Sequence, residues 1–298
     1  METTLIRTIA SQAFLLLQRL LPQHLLMSLV GSLAGIRLAP VKNFLIRTFV
    51  SVYEVDVTEV ERPVPDGFVD FNDFFTRELA GDARPIDASA DSIVSPVDGI
   101  MSAAGQIESD RLFQAKGLYY SLEDLLATDL HEAACYRNGS FATMYLAPYN
   151  YHRVHSPLAG ELVAARYVPG HLFSVNRSTV DLLPQLFTRN ERLVCQFRSA
   201  AGPVALIFVG ALNVGSVSTP WTGRIRPRKT GVVADLALDP ASTSLDVRKG
   251  QLVGWFNMGS TVILLLPPGR CTWRDGLVSG KTLQVGEPIG RVTVHAGS

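Results

Sequence analysis

Met258-Gly259-Ser260-Thr261-Val262-Ile263-Leu264-Leu265-Leu266-Pro267-Pro268-Gly269 is the stretch that decides the fold. From Thr261 to Leu266 no charge interrupts the run, and Pro-Pro-Gly stops it, which predicts a short buried strand. Taken alone, Gly259-Ser260 reads as a tight turn entering that strand. Outward from it, similar runs recur at residues 92–97, 141–146, 204–209, 231–237 and 252–256, separated by Gly and Pro. Residues 51–60 alternate around Val52, Val55 and Val57. Helical stretches are fewer: 72–79, 118–128 (opening near Ser121 with Glu123 and Asp124) and 180–187. Regular alternation of strand and helix is absent, which argues against a doubly wound sheet. The expected class is α+β, a β-rich core with a helical N-terminal layer.

The chain has 298 residues, enough for a substantial core, and its 27 basic residues balance its 27 acidic ones. That balance excludes an acidic disordered tail protein and a highly basic nucleic-acid coat. No GxGxxG or Walker loop is present, and no basic-aromatic interleave, so neither a nucleotide nor a nucleic-acid partner is expected. Cys135, Cys195 and Cys271 form no CxxC pair, which argues against a zinc ribbon or a disulfide scaffold and suits a reducing compartment. One basic run stands out in the body: Arg224, Arg226, Arg228 and Lys229. Two readings of it stay open, a solvated turn face and a contact with phosphate or membrane.

Residues 1–50 have a different character. Arg7, Arg19, Arg37, Lys42 and Arg47 stand against Glu2 alone, between clusters of Leu, Ile and Phe. The longest uncharged run, Leu20 to Ile36, is 17 residues and is interrupted early by Pro22, Gln23 and His24. A span needs about 20 clean apolar residues. Helices lying in the headgroup plane suit the pattern best, with soluble packing helices and a true span as the other readings.

Three segments carry candidate chemistry. His152 and His155 stand three apart in Tyr151-His152-Arg153-Val154-His155-Ser156-Pro157, a spacing open to a metal site or to acid–base work. An HxxH without a completing Cys or Glu is a weak metal signal, and no metal is expected. Asp98, in Ser95-Pro96-Val97-Asp98-Gly99, reads either as a turn residue or as a carboxylate that orients a histidine. Ser260 follows Gly259 at the mouth of the apolar strand.

Together these segments resemble the bacterial, membrane-associated phosphatidylserine decarboxylases. The resemblance covers nearly the whole chain. Its other marks are Phe71-Asn72-Asp73-Phe74-Phe75-Thr76-Arg77, Arg84-Pro85-Ile86-Asp87, Gln114-Ala115-Lys116-Gly117, Leu172-Phe173-Ser174-Val175-Asn176, Arg189-Asn190-Glu191-Arg192, Val209-Gly210-Ala211 and Val214-Gly215-Ser216. Met258 stands where the family usually has Leu, an apolar exchange.

The resemblance implies a proenzyme that cuts itself between Gly259 and Ser260. The products would be a β chain of residues 1–259 and an α chain of residues 260–298, paired as a heterodimer, with two such pairs in a dimer. Ser260 would become a covalent pyruvoyl group, the sole cofactor, which forms a Schiff base with phosphatidylserine and releases CO2 and phosphatidylethanolamine. His155 is implied as the base that activates Ser260, Asp98 as the group that fixes its tautomer, and His152 as the proton donor in decarboxylation. The implied domains are a membrane-surface helical segment, 1–50, and a decarboxylase domain, 51–298, peripheral on the cytoplasmic side of the cell membrane. Three other readings are weaker. A lipoyl-like carrier lacks Met-Lys-Met, a serine hydrolase lacks GxSxG, and a decarboxylase of soluble amino acids leaves the N-terminal segment unexplained.

Overall fold

The computed structural model describes residues 2–212, 216–228, 230–238, 244–257 and 261–293, with only the backbone of 2–10 and Leu130. Met258, Gly259 and Ser260 therefore lie outside the described residues, as do Val214, Gly215 and Lys229. The class is α+β, with a sheet-rich core behind N-terminal helices.

The apolar run Thr261–Leu266 is the centre of a nine-stranded sheet. It pairs antiparallel with Ser140–Tyr145 on one side and Gly202–Val209 on the other, and all six of its residues are buried. Gly99–Gln106 and Thr282–Leu283 continue the sheet outward from the first neighbour, and Arg192–Ser199, Gly160–Val168 and Ala234–Asp235 from the second. A four-stranded sheet runs Gly223–Ile225, Val217–Thr219, Leu252–Phe256, Arg153–His155. Each fully buried Val, Ile or Leu contributes about 1.5–3 kcal/mol, so Val262 to Leu266 anchor the C-terminal part in the core without help from the peptide bond that precedes them.

Sequence and structure part at several elements. Residues 51–60 form no strand: α3 (Ala39–Tyr53) runs past residue 50, and the chain then turns, with Val60 bridging Leu79. The 118–128 stretch divides into a strand, Leu118–Ser121, and a helix, Leu122–Leu126, whose N-cap Ser121 accepts from Asp124 N. The 180–187 stretch is two short helices, Arg177–Leu182 and Leu186–Arg189. Of 231–237 only Ala234–Asp235 is a strand.

At the N-terminus, α1 (Glu2–Leu20) and α2 (Gln23–Ala34) meet at Pro22 with a bend of 88° between Ser11–Leu20 and Gln23–Ala34. Proline has no N–H for the helix ladder, which explains the break. Among the described residues no single helix is long and apolar enough to cross a membrane, though the bent pair passes together by length and composition. Leu16, Leu17 and Leu20 on α1, Leu25, Leu29 and Leu33 on α2, and Phe44 on α3 are exposed. Lys42 does not face outward with them. It is buried, and its Nζ donates to the carbonyls of Pro65 and Phe68 at 3.3 and 2.6 Å. A second small core joins α3 to α4 (Phe71–Phe75) through Ile46, Val55, Phe68, Phe71, Phe74 and Phe75.

Candidate active site

The antiparallel register gathers the quoted segments at one end of the large sheet. Thr261 pairs with Tyr145 and Val209, Tyr145 with Ile100, Val209 with Arg192, and Arg192 with Val168. These six residues form one row, so Asp98-Gly99, the 146–155 segment, Leu172–Asn176, Asn190-Glu191 and Gly210-Ala211 all leave the sheet beside the start of the central strand. Strands lie about 4.8 Å apart, which puts Ile100 roughly 10 Å from Thr261. Gly99 is fixed by this crowding: a Cβ there would stand 2.4 Å from the Tyr145 carbonyl oxygen.

Asp98 is buried at the turn into Gly99–Gln106. Arg84 grips its carboxylate with Nε at 2.9 Å and Nη2 at 2.7 Å, and Val285 N donates to Oδ1 at 2.8 Å. Arg84 also reaches Glu59 at 2.8 Å. Burial alone would lower the pKa of this guanidinium, but its bonds to Asp98 and Glu59 raise it above its ordinary value.

His155 sits in Arg153–His155 with its N–H bonded to the Pro96 carbonyl. Its Nδ1 is 2.8 Å from the Gly250 carbonyl oxygen and its Nε2 is 3.1 Å from the Tyr151 hydroxyl. A carbonyl only accepts, so Nδ1 carries the proton, and the lone pair of Nε2 accepts from Tyr151 O–H. Burial pushes the imidazole below its usual pKa, the Gly250 bond opposes that, Arg153 adds to it, and Asp98 opposes it from a distance. The structure thus brings Asp98 and His155 together without a hydrogen bond between them, and gives the setting of the tautomer to Gly250.

His152 is fully buried and stacks on Phe75 with ring centroids 4.1 Å apart. Its Nε2 donates to the Pro148 carbonyl at 3.2 Å, while Nδ1 has no hydrogen-bond partner among the described residues. Burial first, then the nearby Arg77, pushes its pKa down to about 3, so the ring is neutral. Arg77 is itself buried, donating to the Tyr149 and Asn150 carbonyls at 2.9 and 3.3 Å. Phe256 N donates to the His152 carbonyl at 3.1 Å, whereas His155 pairs with Leu252. Of the two histidines, His152 therefore has its backbone beside the chain that leads into residues 258–260. The rings turn to different partners, and among the described residues no group of three or more His, Cys, Asp or Glu stands ready to hold a metal.

One residue that the sequence reading passed over is Asn257. Its side chain accepts from Asn72 Nδ2 at 3.2 Å and donates to Ser216 Oγ at 2.7 Å and Ser218 Oγ at 2.9 Å. Its N–H donates to Ser216 O at 2.8 Å, and Arg224 Nε donates to Ser216 Oγ at 2.8 Å. Asn72 and Ser216 lie in quoted segments; Asn257 has no local signal beyond standing next to Met258. A cavity of about 210 Å³ opens nearby, lined by Phe49 and Tyr53 of α3, Phe75, Tyr145, Pro148, Asn176 and Ala211 among others. Phe49 packs edge-on to Phe75 at 5.8 Å, so aromatic contacts run from α3 to the His152 ring.

A family model described as phosphatidylserine decarboxylase matches residues 71–291, and a second, described as PSD, matches residues 13–54. The chain belongs to the phosphatidylserine decarboxylase family. It is 45% identical over 281 residues to the phosphatidylserine decarboxylase proenzyme of Azotobacter vinelandii, covering 94% of this chain and 98% of that one. The proenzymes of Saccharophagus degradans and Marinobacter nauticus are 42% and 44% identical, over 95% and 94% of this chain and 98% of each of theirs. Within the family match, Phe71 to Arg77 gains a physical account. Phe71, Phe74 and Phe75 fill the small core, and Asn72 holds Asn257. Asp73 pairs with Arg62 at 2.7 Å, and Arg77 binds the loop that carries His152.

Proposed function

We propose that this decarboxylase converts phosphatidylserine to phosphatidylethanolamine and CO2 at a pyruvoyl group that it makes from Ser260. The single observation that carries the reading is the row through Thr261. Residue 260 precedes a buried central strand at the sheet end where Asp98, His152, His155 and Asn257 gather.

The residues present fit such a group. Thr261 is buried and paired on both sides, Asn257 is tied by its side chain and its N–H, and the strand after the cut is held by neighbours from the part before it. In self-cleavage, Ser260 Oγ attacks the Gly259 carbonyl and turns the amide into an ester. His155 takes the hydroxyl proton on Nε2, the nitrogen left unprotonated by the Gly250 contact, once the Tyr151 O–H that it accepts from turns away. The Asp98 charge favours the imidazolium that results, through space. The ester then loses its α-proton and eliminates, freeing the Gly259 carboxylate, and water releases ammonia from the new terminus. A pyruvoyl group would supply an electron sink for the pair left on the α-carbon when an amine-bearing substrate loses CO2. His152 would hold a proton drawn from water on Nδ1, the nitrogen with no partner among the described residues, and give it to the α-carbon in place of the departed CO2. Its depressed pKa makes it a strong acid once charged.

The exposed leucines of α1 and α2 support a peripheral seat on the membrane, which this reading puts on the cytoplasmic face. A diacyl lipid does not leave the bilayer cheaply, since each methylene brought into water costs about 0.8 kcal/mol. The mature enzyme is then a heterodimer of residues 1–259 and 260–298, two of which form a dimer. Intact-mass spectrometry of the purified protein tests the reading. Two chains splitting after Gly259, the smaller with a carbonyl-reactive N-terminus, are expected. A full-length chain that stays uncut and inactive after incubation with lipid overturns it.

A further inference from the structure

Two arginines of the segment that follows Val217–Thr219, Arg224 and Arg226, face a cavity. This space, about 360 Å³, lies between α2 and residues 224–227. His24, Ser28 and Ser32, each four residues from the last, line it from one face of α2, with Arg224 and Arg226 opposite. Among the described residues no Asp or Glu lines it. Neither arginine forms an ion pair among the described residues. Two permanent cations therefore face a cavity with no counter-charge among the described residues.

The next helical stripe decides the ligand class. Leu25, Leu29 and Leu33, each one residue beyond a lining position, are 61%, 61% and 48% exposed. A polar stripe that opens on arginines and an exposed leucine ridge thus run side by side along α2. That pairing matches a phospholipid, whose phosphate stands beside acyl chains, and gives a soluble phosphate no use for the ridge. We propose that the cavity binds the phosphate of an anionic phospholipid, with the acyl chains along the leucine ridge of α2.

The site is built in advance of any ligand. Arg228 N donates to the Tyr167 hydroxyl at 2.7 Å and to Glu191 Oε2 at 3.0 Å, which fixes the basic segment on the core. Gly170 N donates to the Arg228 carbonyl at 3.1 Å, and the Gly170 carbonyl is 3.2 Å from His24 Nε2, so α2 and the basic segment share one support. Arg224 also reaches Ser216, the residue that holds Asn257.

The test is sedimentation of the full chain with phosphatidylcholine vesicles, with and without phosphatidylglycerol, an anionic lipid with no amine to react. It measures binding without turnover, so it stands or falls apart from the decarboxylase reading. An arginine near an anionic surface contributes about fivefold in affinity. Arg226→Gln should lose about that factor of the phosphatidylglycerol preference, and the Arg224→Gln/Arg226→Gln pair more than tenfold, with binding to phosphatidylcholine unchanged. Arg226 has no hydrogen bond among the described residues, so its variant keeps the test sound if the Arg224 change disturbs folding. Variants that retain the full preference overturn the proposal and leave the basic residues of α1 and α3 to account for it. Glycerol 3-phosphate is the second arm: calorimetric binding that depends on both arginines, with no arginine-dependent gain on vesicles, would make this a soluble-phosphate site.

Discussion

Arg84 and Asp98 form a part-buried two-pronged ion pair, and that pair, with Val285 N, occupies the Asp98 carboxylate in place of a bond to His155. Asp98 faces the imidazole without bonding to it, so its carboxylate has to be held in place by something else. Arg84 does that. Breaking a fully buried pair by removing one partner costs about 3–5 kcal/mol, because the other charge is left uncompensated, and a part-buried one costs less. Arg84→Gln should therefore lose about 2 kcal/mol in urea unfolding and process slowly. A loss below about 1 kcal/mol would show that Asp98 does not depend on Arg84.

Ser260→Ala removes the hydroxyl that follows the assigned cut. It should give one uncut chain with no decarboxylase activity, read by intact mass and CO2 release. Two fragments from this variant would move the cleavage point.

His152→Ala separates the two reactions. If His152 handles the proton of decarboxylation, the variant still cuts itself and turns over at least about a hundredfold more slowly, the usual scale for a lost acid–base group. A variant that fails to cut places His152 in maturation. The same ring carries a pH signature. Its pKa falls from the ordinary value to about 3 on folding, so the unfolded chain binds the proton first. Stability is lost as pH falls from about 6.5 toward 3, and His152→Phe should flatten that limb in urea titrations.

Much of the centre of this fold was legible in the sequence. Thr261–Leu266, Leu252–Phe256 and Ser140–Tyr145 are compact apolar runs with Gly or Pro at their ends, and each forms close to where its pattern placed it. Gly160–Val168 was not legible. Its outer face carries Glu161 and Arg166, and a register shift between Leu162 and Ala164 breaks the alternation. Residues 51–60 misled because Val52 and Val55 suit a helix by spacing as well as a strand by type, and α3 carries through the first of them. Lys42 reads as a surface cation, but two carbonyls draw it inside. At the site, the histidines, Asp98 and the Gly-Ser pair could be named, but their partners could not. Gly250 is 95 residues from His155 and Asn257 is 185 from Asn72, and only the register of the sheets brings such pairs together.

Asn257 stands just before Met258 and makes three side-chain bonds to Asn72, Ser216 and Ser218. At about 1 kcal/mol each, their loss in Asn257→Ala amounts to roughly 2–3 kcal/mol. If they hold the chain for attack by Ser260, the variant should process at least tenfold more slowly in a time course, while protein that does mature binds lipid normally. Normal processing would reduce Asn257 to a structural role.

Glu191 offers a stability test with the opposite sign to His152. Burial raises its carboxyl pKa to about 7, against the bonds from Tyr167 O–H and Arg228 N that favour the ionised form. A carboxyl raised on folding binds its proton more tightly in the native state, so its stabilising contribution is full below about pH 4.5 and fades as pH rises toward 7. The range corresponds to up to about 3 kcal/mol, given 1.36 kcal/mol per pH unit. Glu191→Gln keeps an oxygen for Tyr167 and Arg228 and removes the ionisation. Between pH 5 and pH 7.5 the unfolding free energy of the variant should therefore fall less than that of the native chain, measured in urea with His152 intact in both. Parallel curves would mean that Glu191 ionises at its ordinary pKa despite its burial, and that the basic segment at Arg228 is held by a charged carboxylate throughout.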